Sequence, residues 1–374
     1  MSATNSQATN PLVSIVTPCN NGEAYLDRYF ENILSQTYSP LEVIVVDDGS
    51  TDRTPEVIEG YRERLFQAGI ALIHLHQDHA GQAAAINRAL PVVTGTYVTW
   101  PDSDDIMRSD NIERKVAYLE RHPEVGFVCC QVANVREDAL KTVLSVSFVP
   151  DTSNPWLFDR LIRDRGAYCL DIAYLARASA LFDALGGRRI VESPAGQNFQ
   201  LLLPLAYRYP CGFINQPLAA YVERAKSHSR SFTTVEQQIQ RTYDFEVLLH
   251  EVLSSMQMSD GDRETYGRYV DCKFLPRRMR LALESGDSAL FFRTKEKLDA
   301  VEGRRVSREA AAFAVCLGMT KPFWAMLQLL LRGRSKMGRI VKTIARYLGV
   351  VTGDVEQPVH QPSSSKPKGK ETRP

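Results

Sequence analysis

Two short apolar runs end in aspartates. Leu41-Glu-Val-Ile-Val-Val46 stops at Asp47-Asp48, and Thr96-Tyr-Val-Thr-Trp100 stops at Pro101-Asp102-Ser103-Asp104-Asp105. Short runs rich in Val, Ile and Thr read as buried strands. In an open α/β sheet, ligands bind beyond the carboxyl ends of the strands, near the point where strand order reverses. Two acidic strand ends in one stretch of sequence therefore constrain the fold and the place of its site together.

The segments around these runs fit the same plan. Leu12 to Thr17 reads as the first strand and Pro18 to Gly22 as a loop. Glu23 to Gln36 has helical spacing, with Leu26, Phe30, Ile33 and Leu34 on one face. Ser50-Thr51-Asp52 is placed to cap a helix from Thr54 to Ala68. Ala71 to Leu75 is a third strand, and Gly81 to Leu90 an alanine-rich helix. Asn111 to Arg121 is a further helix, and Val125 to Cys130 a further strand. Strands alternating with helices predict an α/β fold, a doubly wound and mainly parallel sheet of Rossmann-like type. From Val146 the alternation becomes irregular, and from Val235 to Tyr347 the pattern is mostly helical. The expected organisation is a disordered N-terminus at 1–10 and a domain at 11–232, divided into halves 11–132 and 133–232. A helical C-terminal region at 233–350 and a disordered tail at 351–374, rich in Pro, Ser and Lys, follow.

The net charge of +1 gives no reason to expect a polyanion partner, so nucleic acid is excluded. Seven cysteines without a C-x-x-C pair favour a reducing, cytoplasmic compartment over a disulfide framework. Cys129 and Cys130 sit in an apolar run and read as buried thiols. The polar N-terminus lacks the order of a signal peptide. No apolar stretch reaches about 18 residues, so no transmembrane helix is expected. One segment points to a membrane surface. Apolar Phe323 to Leu331 precedes Arg332, Arg334, Lys336, Arg339, Lys342 and Arg346, with Met337, Ile340, Val341, Ile344 and Leu348 at helical spacing. Over 323–348 this is either a basic amphipathic anchor for the inner face of a membrane or a helix packed on the domain.

Four motifs occur in order: Val13-Ser-Ile-Val-Thr-Pro-Cys-Asn-Asn21, Val45-Val-Asp-Asp-Gly-Ser-Thr-Asp52, Gly81-Gln-Ala-Ala-Ala-Ile-Asn87 and Pro101-Asp-Ser-Asp-Asp105. In series they resemble the family 2 inverting glycosyltransferases with the GT-A fold. The resemblance is strong from Leu12 to Val132, weaker to Ser229 and absent beyond. It implies a nucleotide-sugar donor, UDP-linked, with Mn²⁺ or Mg²⁺ as cofactor. It also implies a saccharide or lipid-linked acceptor in surface polysaccharide or glycolipid synthesis.

The resemblance assigns roles to residues. Asp47 or Asp48 accepts a hydrogen bond from uracil, while Thr17, Pro18 and Asn20 line the base. Gln82 and Asn87 border the nucleotide. Asp102, Ser103, Asp104 and Asp105 form the D-x-D element. A nucleoside diphosphate would be repelled by bare carboxylates, and a hard divalent cation bridges the two. It also acts as a Lewis acid on the departing diphosphate. Asp104 is the first choice for direct ligand. Asp102 is a second ligand, or contacts the ribose or a bridging water. Asp105 either joins them or caps the turn into the next helix. His228 could complete the metal shell through a neutral imidazole nitrogen, and Arg224 or Lys226 could neutralise phosphate. His74, His76 and His79 lack ligand partners at zinc spacing and read as strand-edge residues.

Inverting transfer needs a carboxylate to take the proton of the acceptor hydroxyl. The family often places it on a Glu-Asp pair at a helix start. The matching place here is Gly196-Gln197-Asn198, whose neutral amides cannot accept that proton. Glu192 is therefore the candidate base, with Asp171 as the other nearby carboxylate, while Gln197 and Asn198 could bind acceptor hydroxyls. Two alternatives follow from the missing pair. One is transfer to a polyprenyl phosphate, whose anionic oxygen needs no strong base. The other is a non-catalytic nucleotide-binding scaffold.

Overall fold

The computed structural model describes residues 10–147, 153–165, 170–193, 196–224 and 232–302. The chain begins with three strand–helix steps: β1 (Val13–Cys19), α1 (Glu23–Leu34), β2 (Leu41–Asp48), α2 (Thr54–Gly60), α3 (Arg62–Gln67), β3 (Ala71–Gln77) and α4 (Gln82–Ala89). β4 (Tyr97–Thr99), β5 (Ile106–Met107), α5 (Asn111–Arg121), β6 (Phe127–Arg136) and β7 (Ala139–Val146) follow. The next elements are α6 (Phe158–Ile162), β8 (Tyr174–Arg177), α7 (Ala178–Leu185), α8 (Gln197–Arg208) and β9 (Cys211–Glu223). The last are α9 (Val235–Ser255), α10 (Asp260–Lys273), α11 (Leu275–Ser285) and α12 (Ser288–Glu302).

Every residue of β1 and β2 is buried. That is the mark of parallel strands covered on both faces, and it explains why they read as continuous apolar runs. The helix expected from Thr54 to Ala68 is two helices, broken at Tyr61, whose ring stacks on Phe30 at 4.8 Å. Asp52 lies one residue before the N-cap of α2, Arg53, and its side chain ties the starts of two helices together. Its Oδ2 accepts from the Glu23 N–H (3.1 Å) at the start of α1, and its Oδ1 from the Thr54 N–H (3.0 Å).

The strands order β3-β2-β1-β4-β8-β6-β9-β5, and β7 pairs with β6. The first four are parallel. β8 then runs antiparallel to β4 and to β6, β9 parallel to β6, and β5 antiparallel to β9. The sheet is thus mixed, and the mainly parallel expectation holds for its N-terminal half alone. Strand order reverses between β1 and β4, so the carboxyl ends of β1, β2, β3 and β4 share one edge at the switch point.

The chain forms two compact units, 1–281 and 282–374. α9 and α10 fall in the same unit as the sheet. In the second unit, α12 is capped by Asp287, whose Oδ1 accepts from the Leu290 N–H at 2.8 Å.

Candidate active site

β2 delivers Asp47 and Asp48 to the switch-point edge, both buried. The Asp48 Oδ1 accepts from Gln77 Nε2 (2.7 Å) and the Ala80 N–H (2.8 Å). Its Oδ2 accepts from the Gly81 N–H (2.9 Å) and lies 3.0 Å from His79 Nδ1. A carboxylate offers about four acceptor positions; three are taken here, and His79 Nδ1 also lies 3.1 Å from the Asp48 carbonyl oxygen, so Asp48 holds the 77–81 loop in place. Gly49 makes this approach possible. Its φ is +67°, and a Cβ there would lie 2.5 Å from the His79 nitrogen. Asp47 accepts from the Ser50 N–H (3.0 Å) and pairs with His76 Nδ1 (2.9 Å). Burial pushes its pKa up, but the bonds from Ser50 and His76 outweigh that and leave it below the usual value.

β1 contributes less than its motif implies. The strand continues to Cys19, so Thr17 and Pro18 are buried within it and do not line a loop. The Thr17 hydroxyl donates to the Pro101 carbonyl (2.9 Å) and lies 2.7 Å from the Tyr29 hydroxyl, which fixes the entry to the second acidic end. Asn20 is the first exposed residue, and its amide donates to the Asp48 carbonyl at 2.6 Å. Cys19, whose thiol burial pushes up to about 12, reaches the Ser103 hydroxyl at 3.9 Å.

The second acidic end gathers more charge than the D-x-D element alone. Asp104 Oδ2 is ion-paired with Arg224, whose guanidinium lies 4.5 Å from the centre of the Tyr25 ring, and the Asp104 carbonyl accepts from Arg28 at 2.6 Å. Asp102 accepts from Gln82 Nε2 at 3.4 Å, which joins the third motif to the fourth. Asp105 does not cap the following helix. It is 3 % exposed, and its Oδ1 accepts from the Val222 N–H of β9 at 3.0 Å. Asp171 arrives from another part of the chain, on a 3-10 turn that leads into β8. Its side chain is in hydrogen-bonding contact with Asp102. Burial, then repulsion from Asp171 and Asp104, raises the Asp102 pKa. Burial and neighbouring Asp105 do the same for Asp171, and burial and Asp104 for Asp105. Such a group of acids disfavours its own full ionisation and calls for positive charge.

On the acceptor side, Asn87 of α4 pins the 190–192 segment. Its side chain exchanges hydrogen bonds with Ile190 (2.7 and 2.9 Å) and donates to Glu192 at 3.2 Å. Glu192 is exposed and ion-paired with Arg189 at 2.8 Å. Gly196 opens α8 in a left-handed conformation, φ +63°, followed by Gln197 and Asn198. His228 and Lys226 lie outside the described residues, as does 323–348. Sequence reasoning missed the partnership of His76 and His79 with Asp47 and Asp48. The parallel register of β2 with β3, which sets Asp47 beside His76, was the available clue. Elsewhere, Glu246, His250 and Asp271 bring ligand atoms within 4.8 Å of one another, but Glu246 is ion-paired with Arg278 and His250 with Asp271.

Residues 14–171, which hold both acidic strand ends and Asp171, match the family model described as glycosyl transferase family 2. This stretch belongs to glycosyltransferase family 2. The chain has similar relatives. Glycosyltransferase GlyG of Streptococcus pneumoniae is 41% identical over 103 residues, 27% of this chain and 33% of that protein. The putative teichuronic acid biosynthesis glycosyltransferase TuaG of Bacillus subtilis is 34% identical over 109 residues, 29% of this chain and 42% of that protein. The chain spans less than half the length of these curated relatives. Among solved structures, S. aureus TarS 1–349 in complex with UDP-GlcNAc superimposes with a TM-score of 0.56 at 16% identity, over 90% of this chain and 89% of that one. The two share the α/β GT-A fold.

Proposed function

We propose that the protein is a metal-dependent inverting glycosyltransferase. It moves a sugar from a UDP-sugar to a saccharide or lipid-linked acceptor in surface polysaccharide or glycolipid synthesis. The observation that carries this reading is the meeting of Asp102, Asp104 and the Asp48-bound loop at the switch point of a family 2 domain. The teichuronic acid assignment of TuaG supports the acceptor class, and the UDP-GlcNAc complex of TarS the donor class.

The acidic end offers the hard oxygen donors that a divalent cation takes, and three of its carboxylates would have to draw together around the ion, since no three of them now bring ligand atoms within 4.8 Å of one another. Asp105 Oδ2 and Asp171 Oδ2 are buried acceptors without a donor, beside two further carboxylates. Asp102 and Asp104 would hold the ion, with His228 as a further candidate ligand. When bound, Mn²⁺ or Mg²⁺ neutralises the diphosphate and stabilises it as a leaving group. Arg224 stands on Asp104 and can turn to a phosphate oxygen, adding a second positive charge. Ser103 and Asn20 border the donor, and Gln82 orients Asp102. The uracil contact by Asp48 would use the second acceptor position of Oδ2, beside His79, which is largely exposed and can move aside. As the acceptor oxygen bonds to the anomeric carbon and the bond to diphosphate breaks, its proton passes to Glu192, while Gln197 and Asn198 bind acceptor hydroxyls.

One observation favours a second reading. Amides at Gln197 and Asn198, where the family often has Glu-Asp, suit an anionic polyprenyl-phosphate acceptor that needs no base.

Calorimetric titration of UDP with and without Mn²⁺ tests the main reading. Binding by the wild-type protein should require Mn²⁺ and be lost in Asp104→Ala. UDP binding that ignores both the metal and Asp104 would point to a non-catalytic nucleotide-binding domain.

A further inference from the structure

Two buried acids outside the acidic end, Glu42 and Asp48, are hydrogen-bonded on both carboxylate oxygens. Glu42, 4 % exposed, accepts from the Ser14 hydroxyl, the Thr94 N–H and hydroxyl (2.8 and 2.6 Å) and the Gly95 N–H (3.2 Å). Asp48 accepts from Gln77, Ala80 and Gly81. Asp171, like Asp105 beside it, departs from that pattern. It is 3 % exposed, and its Oδ1 accepts the N–H of Ile172 at 2.9 Å, but its Oδ2 is buried with no donor. A buried acceptor left without a donor costs about 1–3 kcal/mol, and more when charged. The buried Lys115 ammonium gives Asp171 Oδ2 no hydrogen bond and donates instead to the Ile172 carbonyl at 2.9 Å.

The topology explains how this acid reaches the site. β8 runs antiparallel to β4, with Tyr97 opposite Arg177 and Val98 opposite Ala176. The Thr99 hydroxyl donates to the Tyr174 carbonyl at 2.8 Å, continuing the same register. The start of β8 is therefore carried to the carboxyl end of β4, which brings Asp171 against Asp102. Two adjacent carboxylates either share one proton or hold a cation between them. Asp104 and Asp105 add further negative charge, which favours the cation.

We propose that Asp171 is a ligand of the divalent cation, joining Asp102 and Asp104 although it lies far outside the D-x-D element. The inference rests on the metal-dependent donor site proposed above. It gives that site a third carboxylate from the chain itself, and a higher ligand charge tightens binding of a hard cation.

The test is Mn²⁺ uptake by the full chain in the presence of UDP, followed by the loss of the free-ion EPR signal, with Tm measured alongside. Wild type should bind, Asp104→Ala should not, and Asp171→Asn should bind at least ~10-fold more weakly. Without metal, Asp171→Asn should melt at or above the wild-type Tm, because the repulsion is gone. Asp171→Ser serves as a second variant in case the amide packs badly. Uptake by folded Asp171→Asn or Asp171→Ser equal to wild type, with Asp104→Ala still deficient, overturns the assignment of Asp171 alone. Failure of the wild type to take up Mn²⁺ overturns it together with the donor-site reading.

Discussion

An asparagine at position 48 would keep the shape of Asp48 and lose its fit. The carboxylate accepts on both oxygens, including two backbone N–H groups on different atoms. One end of an amide is a donor, so Asp48→Asn would set an NH₂ against the N–H of Ala80 or Gly81. The expected cost is about 1–3 kcal/mol of stability, read as a lower urea midpoint, with UDP affinity falling as the loop loosens. Wild-type stability in this variant would show that the loop does not depend on the carboxylate. Glu192 is tested through rate. Glu192→Gln preserves the contact with Asn87 but cannot take a proton, so kcat should fall by about 10²–10⁴ with little change in UDP affinity. Retained kcat would favour the phosphate-acceptor reading. The Asp47-Asp48 and D-x-D aspartates could be found from the sequence because each ends a short apolar strand. Asp171 could be named only as a nearby carboxylate, since its contact with Asp102 depends on a strand pairing that no local pattern announces.

Among the elements, α5 shows how local chemistry supports the acidic end. Its bounds, Asn111–Arg121, match those expected from periodicity, because Ile112, Val116 and Leu119 form one buried stripe. At its N-terminus Asp110 binds Arg108 and, at 2.6 Å, Arg114, and these two arginines hold its pKa down to about 2. A depressed carboxylate stabilises the fold above its unfolded value near 4, and that contribution disappears as pH falls through about 2. Asp110→Asn should therefore lose about 1–2 kcal/mol at pH 7 and differ little from wild type near pH 2, as measured by urea unfolding at the two pH values. An unchanged difference at both would remove the ion pairs as the cause. The second half of the sheet was hard to read for a related reason. β7 is exposed along most of its length and β9 carries Asn215, Gln216 and Pro217 at its middle, so neither offers a continuous apolar run. β8 is only four residues long, and no local pattern marks its antiparallel direction, so the mixed character of the sheet is not legible in the sequence.

At the scale of the whole molecule, the donor chemistry needs an acceptor, and the charge distribution says where to look for one. The net charge is +1, yet Arg332, Arg334, Lys336, Arg339, Lys342 and Arg346 fall within one short stretch that contains no acid. That stretch lies outside the described residues, so its case rests on sequence alone. No helix among the described residues is long and apolar enough to cross a membrane. Each basic residue near an anionic surface contributes about 1 kcal/mol, and the effect is screened beyond a Debye length of about 10 Å at 0.1 M salt. The full chain should therefore sediment with vesicles containing phosphatidylserine at low ionic strength, bind neutral vesicles much less, and be released by salt near ~0.5 M. The triple reversal Arg339→Glu, Lys342→Glu and Arg346→Glu should abolish sedimentation while leaving Mn²⁺-dependent UDP binding intact, because every residue proposed for the donor site lies before 230. Sedimentation that survives the reversal, or that does not distinguish charged from neutral lipid, would mean that this segment is not a surface anchor. The acceptor would then have to reach the acidic strand ends from solution.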